Sequence, residues 1–175
     1  LFNILTQCIE SNDMTLAWNT AVALGRSGDP NAIHILKKTY QDTKQILIKN
    51  YSVFGMGWIK DNSAIPILNE ILSDKKEQEV VRSHAAATLG YFKGAEAVKL
   101  LKDIITDKES MKKQSDVVAA AAMALGITKD ESAVAVLGGL LNNTEQRIDS
   151  KIRSYAALGL GRAGTEDALK ELKKA

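Results

Sequence analysis

Five glycines recur along this 175-residue chain at nearly equal spacing, and this repeat restricts the fold more than any other feature. They stand 32, 33, 36 and 35 residues apart. Each is followed seven positions later by alanine and eleven positions later by leucine. A period of about 20–50 residues is typical of proteins that stack copies of one supersecondary unit. The five glycines are Gly25, Gly57, Gly90, Gly126 and Gly161.

The apolar positions divide each repeat into two helices. Residues nine, five and one position before the glycine are apolar or small, and this spacing places them on one face of a helix A. Apolar residues seven, eight and eleven positions after it share one face of a helix B. We expect the glycine to end helix A in a left-handed conformation, which costs glycine least. We also expect burial of the alanines at the seventh position, Ala32, Ala64, Ala97, Ala133 and Ala168.

Small residues recur in helix A, five and two positions before each glycine. Two neighbouring stripes of small side chains allow helix axes to approach closely. Because neither helix could bury its apolar face alone, the repeats must stack. The pattern predicts an all-α fold of about ten helices without a β-sheet, preceded by a partial helix at Leu1–Glu10.

Three segments carry a closer resemblance. Ala23–Ile33, Val81–Gly90 and Ile152–Gly161 resemble HEAT repeats of the short bacterial, phycobilisome-lyase-like type. The resemblance implies a right-handed α-solenoid of about five two-helix repeats, with helices A on the convex side and helices B on the concave side. Proteasome/cyclosome repeats share the Ala-Leu-Gly phrase and rank second, because the turn at Gly28–Pro30 fits HEAT repeats better. Such repeats serve many unrelated proteins, so no reaction is implied.

We interpret the chain as one repeat array over residues 1–175, cut from a longer protein. A partial repeat at residues 1–12 precedes repeats at about 13–43, 44–76, 77–112, 113–148 and 149–175. Natural solenoids end in polar capping repeats, and neither end of this chain has such a pattern.

Signals for catalysis, metals and cofactors are weak. His34 and His84 lie 50 residues apart, no His-Glu pair occurs, and Cys8 has no second cysteine for a disulfide or a zinc site. The GxGxxG sequence at Gly159–Gly164 follows a helical pattern rather than a strand, so it does not match a dinucleotide site. We therefore expect no catalytic, metal-binding or cofactor-binding residues, no cofactor, and no enzymatic activity.

Acids and bases recur together at the repeat junctions. An aspartate stands four residues after three of the glycines, and in each case a base stands eight residues before the next glycine. HEAT repeats commonly carry an Asp-to-Arg ladder, so the resemblance implies ion pairs between neighbouring repeats. The expected pairs are Asp29 with Lys49, Asp61 with Arg82, and Asp130 with Arg153.

The outward positions of helix B form a lysine-rich ridge. Positions 9, 12 and 13 after the glycines hold seven lysines and two acids, whereas the whole chain has a net charge of +2. We interpret this ridge as a partner-binding surface, in which a glycine pair leaves a notch for a partner backbone. The alternative is that lysines late in a helix complement its dipole and maintain solubility. The candidate contact residues are His34, Lys37, Lys99, Lys102, Gly138, Gly139, Lys170 and Lys173.

These observations favour a non-catalytic scaffold that binds a protein or peptide, with an acidic segment as the candidate partner. A nucleic-acid-contacting HEAT-like solenoid stays open, although the ridge lacks arginines and stacking aromatic residues. A regulatory segment of a larger enzyme also stays open. The longest run without charged residues has 13 residues, which is too short to cross a bilayer. We expect a soluble protein without membrane insertion; the sequence leaves the compartment open, with the cytoplasm favoured. The pattern leaves the oligomeric state open.

Overall fold

The computed structural model describes residue 7, residues 13–143 and residues 148–175. Over these residues all regular structure is helical, with eleven helices and no strand, as the repeat predicted. Apart from Gln7, the partial repeat predicted at residues 1–12 lies outside the described residues.

Ten of these helices follow the predicted alternation of helix A and helix B. The five helices A are α1 (Met14–Ser27), α3 (Ile46–Ile59), α5 (Glu79–Leu89), α8 (Ser115–Ile127) and α10 (Ser150–Ala163). The five helices B are α2 (Asn31–Asp42), α4 (Ala64–Ser73), α6 (Ala95–Thr106), α9 (Ser132–Asn142) and α11 (Glu166–Lys174).

The eleventh helix, α7 (Lys108–Lys113), was not predicted. It lies in the longest interval between repeat glycines, the 36 residues from Gly90 to Gly126. The Asp107 carboxylate accepts a hydrogen bond from the Ser110 backbone N–H at 2.7 Å and so caps the start of this helix.

The chain forms two compact units, Leu1–Thr88 and Leu89–Ala175. In the first unit α1 packs on α3, and α2 packs on α3. In the second unit α8 packs on α10, while α6 packs on α8 and α9 packs on α10. Each of these helices therefore contacts helix A of the next repeat, which is the arrangement that stacked repeats require.

The predicted core alanines are buried. Ala32, Ala64, Ala97 and Ala133 have no exposed surface, and Ala168 is 1% exposed. The leucines four positions later form the large side chains of this core, since Leu36, Leu68, Leu101 and Leu137 are fully buried. Full burial of a leucine side chain contributes about 1.5–3 kcal/mol, so these residues stabilise the stack strongly.

The predicted conformation of the repeat glycines is wrong. Four of the five lie within helices A, and Gly90 directly follows α5. Left-handed backbone occurs three residues later in four of the repeats, with φ between +57° and +67°. The residues that adopt it are Gly28, Lys60, Lys129 and Gly164.

The repeat glycines instead allow helices A to approach each other. A Cβ at Gly126 would lie 2.0 Å from the carbonyl oxygen of Gly159, far inside an ordinary contact of about 3.5–4.0 Å. A Cβ at Gly25 or at Gly90 would lie 2.8 Å from a backbone carbonyl oxygen of Gly55 or Ala124 respectively. Each partner stands two residues before the next repeat glycine, so the expected close approach at this small position is confirmed.

Candidate functional site

Helix periodicity largely places the ridge residues as predicted within each unit. The first unit holds the exposed His34 and the half-buried Lys37. In the second unit Lys99, Lys170, Lys173 and Gly139 are exposed, Lys102 is half-buried, and Gly138 is buried.

Acidic side chains neutralise part of this ridge. Lys37 Nζ lies 3.4 Å from the Glu70 carboxylate, and Lys99 Nζ lies 2.7 Å from that of Asp103. Lys170 Nζ lies 2.6 Å from Asp167, and this hydrogen bond lowers the pKa of Asp167 and raises the pKa of Lys170. Because Asp167 lies outside the ridge positions, the ridge is less basic than its sequence indicates.

Lys102 belongs to a small polar cluster at the start of α9. Its Nζ lies 2.5 Å from Ser132 Oγ, and the Ser132 hydroxyl donates to the Asp130 carboxylate. The Ser132 hydroxyl and backbone N–H, together with the positive charge of Lys102, hold the pKa of Asp130 below its usual value. Lys102 therefore also links α6 to the start of α9, the next helix B.

The notch predicted at Gly138 is filled, so this part of the prediction is wrong. A Cβ at Gly138 would lie 2.8 Å from Glu171 Oε2, because the Glu171 side chain lies over the glycine. Asn142 Nδ2 donates to the same Oε2 at 3.0 Å and holds it there. Gly139 does fit the prediction, since among the described residues no atom outside its own helix backbone lies within 4 Å of the position that its Cβ would take.

Gly139 borders an open groove of about 730 Å³ in the second unit. The groove is formed by the end of α6, by α7, and by the second half of α9. No acid occurs among its described lining residues. Helix periodicity missed this groove because α7 is not part of the repeat; the 36-residue interval was the available signal. Its lining includes Ile105, Lys108, Met111, Lys112, Gly139 and Leu140.

The predicted Asp-to-Arg ladder is wrong, because the aspartates cap their own helices B. Each accepts a hydrogen bond from the backbone N–H two residues later, at 2.8–2.9 Å. Such a cap satisfies a donor that the helix start leaves without a partner. The three bonds join Asn31 to Asp29, Ser63 to Asp61, and Ser132 to Asp130.

The arginines of the expected ladder reach the end of the preceding helix B instead. Arg82 Nε donates to the Leu72 carbonyl oxygen at 2.8 Å, and Arg153 Nε donates to that of Leu141 at 3.1 Å. A guanidinium at this place satisfies a terminal carbonyl and complements the negative end of the helix dipole.

Lys49 stands at the corresponding position of the second repeat and has a different partner. Its Nζ lies 2.5 Å from Glu77 Oε2 and 5.0 Å from the centre of the Tyr40 ring, and the Tyr40 hydroxyl donates to Glu77 at 2.7 Å. Burial, and then the hydrogen bond to Glu77, raise the pKa of Tyr40. Burial opposes the charge of Glu77, but hydrogen bonds from Lys49 and Tyr40 hold its pKa below the usual value.

An aromatic cluster on helices A of the first unit was also missed. The ring centre of Trp18 lies 4.8 Å from that of Tyr51 and 5.5 Å from that of Trp58. The Phe54 ring centre lies 4.8 Å from that of His84, edge to face. All five rings are half-buried. The spacing of Tyr51, Phe54 and Trp58 along one helix face was the signal in the sequence.

The part of the chain that the structure describes lacks both a metal-binding cluster and a membrane-spanning helix. Within it, no group of three or more His, Cys, Asp or Glu side chains is placed to hold a metal ion. None of its helices has both the length and the apolar character needed to cross a membrane.

The stacked helix pairs define an all-α helical-repeat protein of the solenoid class. The sequence model for HEAT repeats matches residues 45–115 and 79–149, which together span more than half of the chain. The chain belongs to the HEAT-repeat family. A comparison with curated proteins found no match.

A solved structure of a protein complex shows the same fold. The complex of CpcE and CpcF of phycocyanin lyase from Nostoc sp. PCC7120 matches with a TM-score of 0.64 and 20% identity, over 97% of this chain and 67% of that one. This likeness confirms the α-solenoid fold that the resemblance to phycobilisome-lyase-like HEAT repeats implied. Human deoxyhypusine hydroxylase in complex with glycerol matches with a TM-score of 0.43 and 17% identity, over 97% of this chain and 75% of that one.

Proposed function

We propose that this chain is a non-catalytic scaffold that binds a partner protein along the face formed by its helices B. The groove beside Gly139 is the observation that supports this function best. Its apolar lining side chains, among them Ile105 and Leu140, lie next to the exposed cations Lys108 and Lys112. An apolar centre with a polar rim is the usual composition of a protein interface.

The polar groups of the groove favour a protein partner over a small substrate. Small-molecule sites orient their ligands with a few convergent polar groups inside a largely enclosed pocket. Here Thr106, Lys108 and Lys112 are exposed, and Asn143 is half-buried. These groups stand where the polar rim of a protein interface would lie. The Nostoc structure is a complex of two proteins, which agrees with a protein partner for this fold.

Site-directed photo-crosslinking tests this function. A photoreactive amino acid replaces Met111 in the groove, and a matched control replaces Ser154, an exposed residue on helix A of the same unit. We expect a discrete protein adduct from position 111, none from position 154, and loss of the adduct when Gly139→Trp fills the groove. Identical adducts from both positions, or an adduct that survives Gly139→Trp, would contradict the proposal.

The nucleic-acid alternative has less support from the ridge. Lys37, Lys99 and Lys170 each have a carboxylate partner, which reduces the charge available to phosphates. Phosphate contacts would give an affinity that falls steeply with salt, so titration with a single-stranded oligonucleotide at several salt concentrations separates the two functions. A role as a regulatory segment of a larger enzyme is compatible with the same groove.

A further inference from the structure

We infer that the groove beside Gly139 binds a partner segment that presents two carboxylates about one helical turn apart, next to an apolar anchor side chain. The inference rests on the function proposed above and adds the chemistry of the partner. Three features of the groove support it: its apolar lining, the open position at Gly139, and two lysines that have no carboxylate partner among the described residues.

The apolar side chain of the partner would contact the apolar lining of the groove. Ile105 is 3% exposed and Leu140 is 7% exposed, so both are held rigidly by the helices that carry them. Met111 is half-buried and flexible, and methionine adapts its shape to an incoming side chain. Gly139 brings the backbone of α9 to the surface, and no described atom outside that helix backbone lies near its Cβ position. An apolar side chain can therefore lie directly against this backbone.

Two lysines on α7 would form ion pairs with the two carboxylates of the partner. Lys108 and Lys112 are four residues apart on one helix, a spacing that places their Cβ atoms about 5–6 Å from each other on one face. Both are exposed, and across the described ranges neither has an ion-pair partner, whereas Lys113 pairs with Glu109. Two such cations beside an apolar lining match an acidic, amphipathic segment.

Charge and apolar surface together favour this occupant over two simpler ones. A phosphate backbone would use the two lysines but has no apolar side chain to place against Met111 and Gly139. A neutral apolar segment would cover the lining but would leave the two cations unneutralised. Opposite charges across an interface raise the association rate and select the partner, so a segment with both properties fits best.

Selection from a random-peptide phage library on the purified chain tests the inference. We expect the enriched peptides to combine acidic and apolar residues, and to bind Lys108→Glu/Lys112→Glu at least about tenfold more weakly, a loss of about 1.4 kcal/mol. The matched control is Lys44→Glu/Lys76→Glu, which changes net charge equally at exposed positions of the first unit outside the ridge and should change affinity less than about twofold. Circular dichroism melts verify that each variant is folded.

The outcomes separate this inference from the function on which it rests. If Gly139→Trp and Met111→Glu both leave the binding of all enriched peptides unchanged, the groove is not a docking site and both proposals fail. If binding requires an open groove but the peptides lack acids, or if Lys108→Glu/Lys112→Glu binds normally, only the acidic partner is refuted.

Discussion

Replacing Gly126 with alanine tests whether the repeat glycines serve contact between helices rather than helix ending. The new Cβ would lie 2.0, 2.4 and 2.5 Å from the oxygen, carbonyl carbon and Cα of Gly159. All three are backbone atoms, so no side-chain rotation relieves the clash and α8 and α10 must separate. Overpacking typically costs about 1–3 kcal/mol, and a backbone clash belongs at the upper end of that range.

The helix propensity of alanine offsets part of this cost. Alanine is more favourable than glycine within a helix by about 1 kcal/mol, so Gly126→Ala should lower the free energy of unfolding by about 2 kcal/mol. For a chain of this size that corresponds to a fall in Tm of roughly 4–8 °C. Urea unfolding followed by far-ultraviolet circular dichroism measures the change.

Gly161→Ala is the matched control, because Gly161 is the next repeat glycine and also lies inside a helix A. In the described part of the chain, no atom outside its own helix backbone lies within 4 Å of the position that its Cβ would take. Gly161→Ala should therefore raise the free energy of unfolding by about 0.5–1 kcal/mol. Equal effects of the two substitutions, or a Gly126→Ala chain as stable as the parent, would refute the contact role.

Three further predictions concern the core and the repeat junctions. Ala97→Leu should overpack a fully buried site and lower the free energy of unfolding by about 1–3 kcal/mol, measured by urea titration; an unchanged midpoint would contradict this burial. The pKa of Glu77 is lowered in the folded state, so its stabilising effect exists above the unfolded pKa of about 4.3 and disappears as the pH falls through the folded pKa. Fluorescence of the two tryptophans, both in the first unit, should report this loss of stability during acid unfolding. Glu77→Gln should remove the part of the pH dependence of stability that Glu77 causes. In a double-mutant cycle, the changes in the free energy of unfolding caused by Asp130→Ala and Arg153→Ala should add to within about 0.5 kcal/mol, because the two residues have separate partners. A larger coupling energy would show that the two side chains interact after all.

The exposed residues of the ridge followed from helix periodicity, whereas the groove beside Gly139 did not. The exposure of His34, Lys99, Lys170 and Lys173 depends only on their offset from the apolar positions of the same helix, so the sequence predicted it correctly. The partners of the lysines were harder to predict. Glu70 pairs with Lys37 from 33 residues away, and only the stacking of α2 and α4 decides that distance.

The sequence alone determined the class of fold and the buried face of each helix. Both depend on local periods, 3.6 residues for the helix face and about 34 for the repeat, and five copies of the pattern reinforce each other. The burial of Ala97 and Leu101 followed from the same periods.

Only the tertiary structure decided what the individual polar and small residues do. Gly126 contacts Gly159 and Arg153 contacts the Leu141 carbonyl, and both contacts depend on how far apart the packed helices lie. Gly138 and Gly139 are identical neighbours in sequence, yet Glu171 covers one and leaves the other open. A repeat pattern specifies which side of a helix faces its neighbour. The separation and rotation of the two helices come from the summed packing of all their side chains, and no short stretch of sequence contains that sum.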